Sequence, residues 1–117
     1  MQFEAFNRMA LALPGTVMDI KWGAERTYCV GAKMFAVARH LGDPAPRYLF
    51  KASELGFEML VESGAATPTP YLARAKWVQL TAPDVLSDAD LTAYVAQAHT
   101  LIAAKLPKKT RAELGIG

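Results

Sequence analysis

Cysteine is nearly absent from this sequence, since Cys29 is the single one among 117 residues. One thiol cannot form an internal disulfide, and it cannot build the thiolate-rich sites that hold structural zinc. Cys29 lies inside an apolar run, where a small packed side chain is the expected role and a reactive thiol is the alternative. The cysteine content therefore fits a reducing compartment.

Long hydrophobic runs are missing as well. No apolar stretch approaches the roughly 20 residues that a membrane-spanning helix requires. Residues 9–13 are too few for the core of a signal peptide, and little positive charge precedes them. We therefore expect a cytoplasmic protein with no membrane contact, and we expect a monomer.

Neither sign of charge dominates the chain, because 13 basic residues against 11 acidic ones leave a formal net charge of +2. That excess is too small to imply a nucleic-acid or anionic membrane partner by itself. A polyanionic partner has to be argued from the positions of the cations.

Catalytic motifs are also missing. His40 and His99 are far apart and show no metal-ligand spacing, and no serine lies in a nucleophile elbow. The stretch Gly31-Ala32-Lys33 has too few glycines to cradle a phosphate with backbone N–H groups. No two carboxylates are placed for acid–base work. The sequence predicts a protein that is not an enzyme and uses no cofactor or metal.

The spacing of apolar residues predicts one domain spanning residues 1–117. Helical spacing covers residues 2–13 and ends at Pro14-Gly15, while Ser53 and Ser87 are N-cap candidates for two later helices. Strand patterns cover residues 16–22, 26–30, 33–39, 47–51 and 77–81. This order predicts an α+β fold, a two-layer sandwich in which an antiparallel meander sheet of about five strands carries its helices on one face.

Aromatic and cationic side chains meet around the last predicted strand. Segment 69–80 contains Tyr71, Arg74, Lys76 and Trp77, and residues 77–80 alternate with the period of a strand. If the other residues of the fourth and fifth strands point to the core, the open sheet face carries Leu49, Lys51, Trp77 and Gln79.

An open sheet with aromatic rings among cations can bind nucleic acid, because bases stack on rings while ammonium and guanidinium groups meet phosphates. Lys33, Lys51, Arg74 and Lys76 each lie at a strand end, in a strand or in an approach loop. The alternative is that Trp77 covers the sheet edge and the lysines keep that edge solvated. A solvated helix end is the expected role of the later cations Lys105, Lys108, Lys109 and Arg111.

Several short motifs together resemble the MmcQ/YjbR family of small bacterial proteins. They are Leu13-Pro14-Gly15-Thr16, Trp22-Gly23, Gly31-Ala32-Lys33-Met34-Phe35-Ala36, Leu49-Phe50-Lys51, Pro70-Tyr71-Leu72, Lys76-Trp77-Val78 and Leu86-Ser87-Asp88, in the family's order. The family usually has a histidine directly before the signature tryptophan or two residues after the tyrosine. Those positions are Lys76 and Ala73 here, so no role of such a histidine carries over.

The resemblance implies a frataxin-like (CyaY-like) fold and a DNA-binding function through a "double-wing" motif. The wings would be the hairpins around residues 23–26 and 31–33. The candidate DNA contacts are Lys33, Lys51, Arg74, Lys76 and Trp77. The alternative function is a non-catalytic module that binds a protein or a small molecule with the same sheet face.

A frataxin-like fold also suggests iron binding, but this sequence argues against it. Hard cations need oxygen ligands, and the first helix and first strand offer only Glu4 and Asp19. Adding ferrous or ferric iron should leave the absorption spectrum and the thermal unfolding midpoint unchanged relative to a sample with chelator. A saturable rise of the midpoint with iron would contradict this prediction.

Overall fold

The computed structural model describes residues 1–21, 25–40 and 45–116, and its strands form one six-stranded antiparallel sheet. In chain order the elements are α1 Phe3–Leu11, β1 Thr16–Lys21, β2 Glu25–Val30, β3 Lys33–Arg39, β4 Arg47–Lys51, α2 Glu54–Glu62, β5 Ala66–Pro68, β6 Trp77–Leu80, α3 Asp88–Ala103 and α4 Lys108–Glu113. The strand order in the sheet is β1-β2-β3-β4-β6-β5. No helix in these three ranges has both the length and the apolar character needed to cross a bilayer.

The predicted α+β fold with an antiparallel sheet is confirmed, but the sheet has six strands where about five were expected. The additional strand is β5, which lies in the predicted loop 63–70 and pairs Ala66 with Leu80. β5 has only three residues and ends in Pro68, so it is too short to show a period-two pattern in the sequence. The basic tail forms a further short helix, α4. Trp22 of the first predicted strand, and residues 41–44 of the predicted loop, lie outside the described residues.

Two serine caps fix where the later helices begin, as predicted. The Ser53 hydroxyl accepts the Gly56 N–H at 3.0 Å, and the Ser87 hydroxyl accepts the Asp90 N–H at 3.1 Å. Each bond satisfies a backbone donor that the first turn of a helix otherwise leaves unpaired.

The inner face of the sheet packs against helices and forms the main core. Phe6 of α1 stacks on Tyr48 with ring centroids 4.3 Å apart, and Phe50 stacks on Tyr94 of α3 at 5.9 Å. Tyr48 and Phe50 of β4, like Val78 and Leu80 of β6, are buried in this core. These four residues therefore have the orientation that was assumed when Leu49, Lys51, Trp77 and Gln79 were assigned to the other face.

The outer face carries a second, smaller apolar cluster. Val37, Leu49 and Trp77 are each only 4% exposed, and Met34 and Leu72 pack against them. β3 has buried residues on both faces, since Phe35, Ala36 and Ala38 lie in the main core and Val37 lies in the outer cluster. A register shift after Tyr28 interrupts the alternation, so that the consecutive Phe35 and Ala36 both lie in the main core. This bulge explains why alternation alone does not assign an inner face to β3.

A tight turn joins β2 to β3 as predicted. Gly31 and Ala32 have φ of +56° and +66°, the left-handed pair that a type I′ hairpin turn requires. A Cβ atom on Gly31 would lie 2.6 Å from Leu106 Cδ1, and Leu106 is itself buried. The turn thus depends on glycine for both its conformation and its close approach to Leu106.

Gly31→Ala should lower the free energy of unfolding by about 2–3 kcal/mol, because left-handed strain adds to overpacking against Leu106. Gly64→Ala is the matched control: its φ is +81°, but no atom lies within 4 Å of the added Cβ, so strain alone should cost about 1 kcal/mol. Urea unfolding at constant m-value measures both. Equal losses in the two variants would contradict the predicted contact with Leu106.

Candidate nucleic-acid interface

One end of the sheet collects the cations that the sequence singled out. β3 begins at Lys33, β4 ends at Lys51, and Lys51 pairs with Trp77, the first residue of β6. Because β3, β4 and β6 are antiparallel neighbours, Lys33, Lys51 and Lys76 all lie at this end. We call this region, with Arg74 and Lys105, the cationic end.

The loop of residues 69–76 folds back onto the strand it precedes. Its backbone is closed by bonds from the Thr69 N–H to the Trp77 carbonyl at 3.0 Å and from the Trp77 N–H to the Leu72 carbonyl at 3.1 Å. The Lys51 ammonium donates to the Ala75 carbonyl. The loop is therefore tied to both β4 and β6, while Arg74 within it remains exposed.

Lys76 is held in a conformation that non-glycine residues rarely adopt, with φ of +62°. The Lys76 carbonyl accepts a hydrogen bond from the Ala52 N–H at 2.9 Å. The Lys76 ammonium lies 4.9 Å from the centroid of the Phe57 ring on α2. A cation over an aromatic face is attracted by the ring quadrupole. This contact sets the direction of the Lys76 side chain.

Lys51 lies in the field of two other ammonium groups. Partial burial lowers the pKa of Lys51 most, Lys105 and then Lys76 lower it further, and the Glu54 carboxylate opposes them. β4, the 69–76 loop and the segment after α3 therefore bring three cations close together. Lys105 was predicted only as part of a solvated helix end, because the sequence does not reveal where α3 ends over the sheet.

Trp77 occupies a different place from the one that a stacking platform needs. Its ring is 4% exposed and packs in the outer-face cluster. The sequence predicted Trp77 as a direct DNA contact, but a buried ring offers no face to a base. The position of Trp77 agrees better with the alternative prediction, in which its side chain covers the sheet.

Tyr71 is the exposed aromatic residue of this region. Its side chain is fully exposed and its φ is +67°, so the loop presents the ring without packing it. The sequence placed Tyr71 beside Arg74 but did not name it as a contact. A signal that could have identified it is a large aromatic ring directly after Pro70, in a loop that also contains two cations.

The described residues of the two predicted wings lie at opposite ends of β2. Glu25 and Arg26 of the first wing begin β2, while Gly31 follows its last residue. Arg26 pairs with Glu4 at 3.0 Å and lies 4.5 Å from the Phe3 ring centroid. Gly23 and Ala24 of that hairpin lie outside the described residues. The second predicted wing, residues 31–33, contributes Lys33 to the cationic end.

Of the groups with catalytic or metal-binding chemistry, His99 is packed into the fold, Cys29 is half-buried and His40 is exposed. His99 is buried, with Nε2 2.6 Å from the Pro14 carbonyl, and its ring meets Phe35 edge to face. His40 lies 5.5 Å from the Phe3 ring, and burial raises the pKa of the half-buried Cys29. Within the described ranges, no three His, Cys, Asp or Glu side chains are grouped for a metal.

These features define a small two-layer α+β protein with a cationic end on its sheet. The family model described as YjbR matches residues 11–101, and the chain belongs to this family. The resemblance drawn from the sequence motifs is thereby confirmed.

A solved structure shares this fold. The crystal structure of Deinococcus radiodurans protein DR2400, whose domain is described as DUF419, superposes with a TM-score of 0.86 at 18% identity. The match covers 99% of this chain and 89% of that one. No curated protein matches the chain. At this identity the likeness shows the fold alone.

Lys105→Met should raise the pKa of Lys51 toward its ordinary value of 10.5, because it removes the stronger of the two repulsive charges. Lys76→Met should act in the same direction with a smaller effect. Lys21→Met is the control, since Lys21 ends β1 at the other end of the sheet. The pH dependence of the Lys51 Cε chemical shift measures each change. An unchanged pKa in both variants would contradict the clustering.

Proposed function

We propose that this protein is a non-catalytic DNA-binding protein that contacts the phosphate backbone weakly and with little sequence preference. The observation that carries the proposal is the convergence of cations from separate elements at one end of the sheet. Lys33 comes from β3, Lys51 from β4, Arg74 and Lys76 from the 69–76 loop, and Lys105 from the segment after α3.

The electrostatics of this cluster favour a polyanion. Lys105 and Lys76 each repel the Lys51 ammonium, and the neighbouring Glu54 carboxylate acts in the opposite direction. A phosphate placed among them would turn an unfavourable interaction into several favourable ones. Because Lys51 is partly desolvated, bulk salt screens it less than a fully exposed lysine.

The aromatic contribution is assigned to Tyr71 in this proposal. Tyr71 is fully exposed in the same loop as Arg74, so an unpaired base can stack on its ring while Arg74 meets a phosphate. Trp77 supports the surface from below, by fixing the start of β6 against Leu49 and Leu72. Of the two wings that the family resemblance suggested, only the hairpin at residues 31–33 takes part.

The alternative module, which binds a protein or a small molecule through Trp77, has less support. A hot spot needs a large apolar side chain that a partner can cover, and Trp77 is already covered by its own chain. No described contact favours that function, so it remains the outcome to be expected if DNA does not bind.

Anisotropy titrations with labelled single- and double-stranded oligonucleotides test the proposal. If about four cations neutralise phosphates, log K should fall with log salt at a slope of about −3 to −4. Arg74→Glu and Lys51→Glu should each weaken binding to all sequences, and each should flatten the slope by about one because one fewer phosphate is neutralised. Arg74 is exposed, so its variant leaves the fold undisturbed.

Lys21→Glu provides the matched control, because it makes the same charge change at the far end of the sheet. Its affinity should stay within about twofold of the parent protein, since the Debye length is about 8 Å at physiological salt. Affinity that does not depend on salt, or equal losses in Lys21→Glu and Arg74→Glu, would contradict binding at the cationic end.

A further inference from the structure

A cavity of about 360 Å³ lies between α3, α4 and the segment that follows α1. Its walls are largely apolar, with Leu13, Ala96, Ala103 and Ile116 among the lining residues. Pockets of this size accept small molecules, and such pockets combine apolar walls with a few polar groups that orient the ligand. The polar groups of this cavity therefore determine what it can bind.

Arg111 of α4 is the only charged residue among the described residues that line the cavity. Its Nε atom is buried and has no hydrogen-bond partner in the described part of the chain. No ion pair within the described residues involves its guanidinium. A buried hydrogen-bond donor without a partner lowers the stability of the folded state. The unpaired Arg111 Nε therefore needs an explanation other than stability.

The other polar side chains of the cavity are already engaged. His99 Nε2 lies 2.6 Å from the Pro14 carbonyl, and the Thr100 hydroxyl donates to the Ala96 carbonyl at 3.1 Å. Arg111 is thus the free donor of a mostly apolar site. The planar guanidinium can form two parallel hydrogen bonds with a carboxylate, and its single charge balances the single charge of a carboxylate but not that of a phosphate dianion.

We propose that this cavity binds a small monocarboxylate with a short hydrocarbon chain. The carboxylate pairs with the Arg111 guanidinium, and the chain lies against Leu13, Ala103 and Ile116. The inference does not depend on DNA binding, since none of these residues belongs to the cationic end.

Titrating the full chain with acetate, butyrate, hexanoate, hexanol and inorganic phosphate, followed by NMR shifts of Leu13, Ala103 and Ile116, tests the site. Affinity should rise by about fourfold per methylene until the cavity is full. Arg111→Met should weaken hexanoate binding by about tenfold or more, because the charge-assisted bond is removed. Ala103→Leu should weaken it by filling space.

Lys109→Met removes the same charge from an exposed position of α4 outside the cavity lining, and it should leave hexanoate binding unchanged. Since the Arg111 Nε atom has no partner to lose, Arg111→Met without ligand should melt no lower than the parent protein. Hexanol binding as tightly as hexanoate, phosphate binding more tightly than hexanoate, or unchanged hexanoate affinity in Arg111→Met would each overturn the proposal.

Discussion

The pairing of β4 with β6 is the constraint on which the arrangement of this protein depends. It brings residues that are far apart in the chain into register, with Phe50 opposite Val78 and Lys51 opposite Trp77. The same register directs Phe50 and Val78 into the main core and Leu49 and Trp77 into the outer cluster. A shift by one residue would exchange the two faces and expose the core side chains. Apolar burial on both faces thus fixes the position of Lys51.

The 69–76 loop is the second consequence of that pairing. Leu72 packs on the outer cluster, and backbone bonds tie the loop to Trp77. The loop must turn sharply to do this, and it places Tyr71 and Lys76 at positive φ. Backbone of this kind is costly for non-glycine residues and persists only where the surroundings hold it in place. The surroundings here are a buried tryptophan and a strand end, so the presentation of Tyr71 and Arg74 depends on the packing beneath them.

Much of the fold could be predicted from the sequence, because its signals are local. Strand patterns located β3 and β4 at their observed bounds, and Ser53 and Ser87 located two helix starts. β5 could not be found this way, since three residues that include Pro68 form a strand only because β6 lies beside them. The register shift that places both Phe35 and Ala36 of β3 in the main core is likewise not encoded by a local pattern.

The candidate site could be predicted in part. Lys33, Lys51, Arg74 and Lys76 were identifiable from their positions at or near strand ends, which antiparallel pairing brings together. Two features of the site could be seen only in the tertiary structure. One is the burial of Trp77 against Leu49 and Leu72, and the other is the approach of Lys105 to Lys51 beyond the end of α3.

Lys51 has two opposite effects on the fold: its ammonium donates to the Ala75 carbonyl, but partial burial and the nearby Lys105 and Lys76 disfavour its charged form. A lysine whose pKa is lowered in the folded state reduces stability at neutral pH, and that loss disappears only as the pH rises toward 10.5. Residues that work against stability are expected where a sequence serves a purpose other than folding. A structure with this fold shares only 18% sequence identity with this chain, so the fold does not depend on most of the individual side chains. In the proposed function, a DNA phosphate is the anion that would offset the repulsion of Lys51 by Lys105 and Lys76.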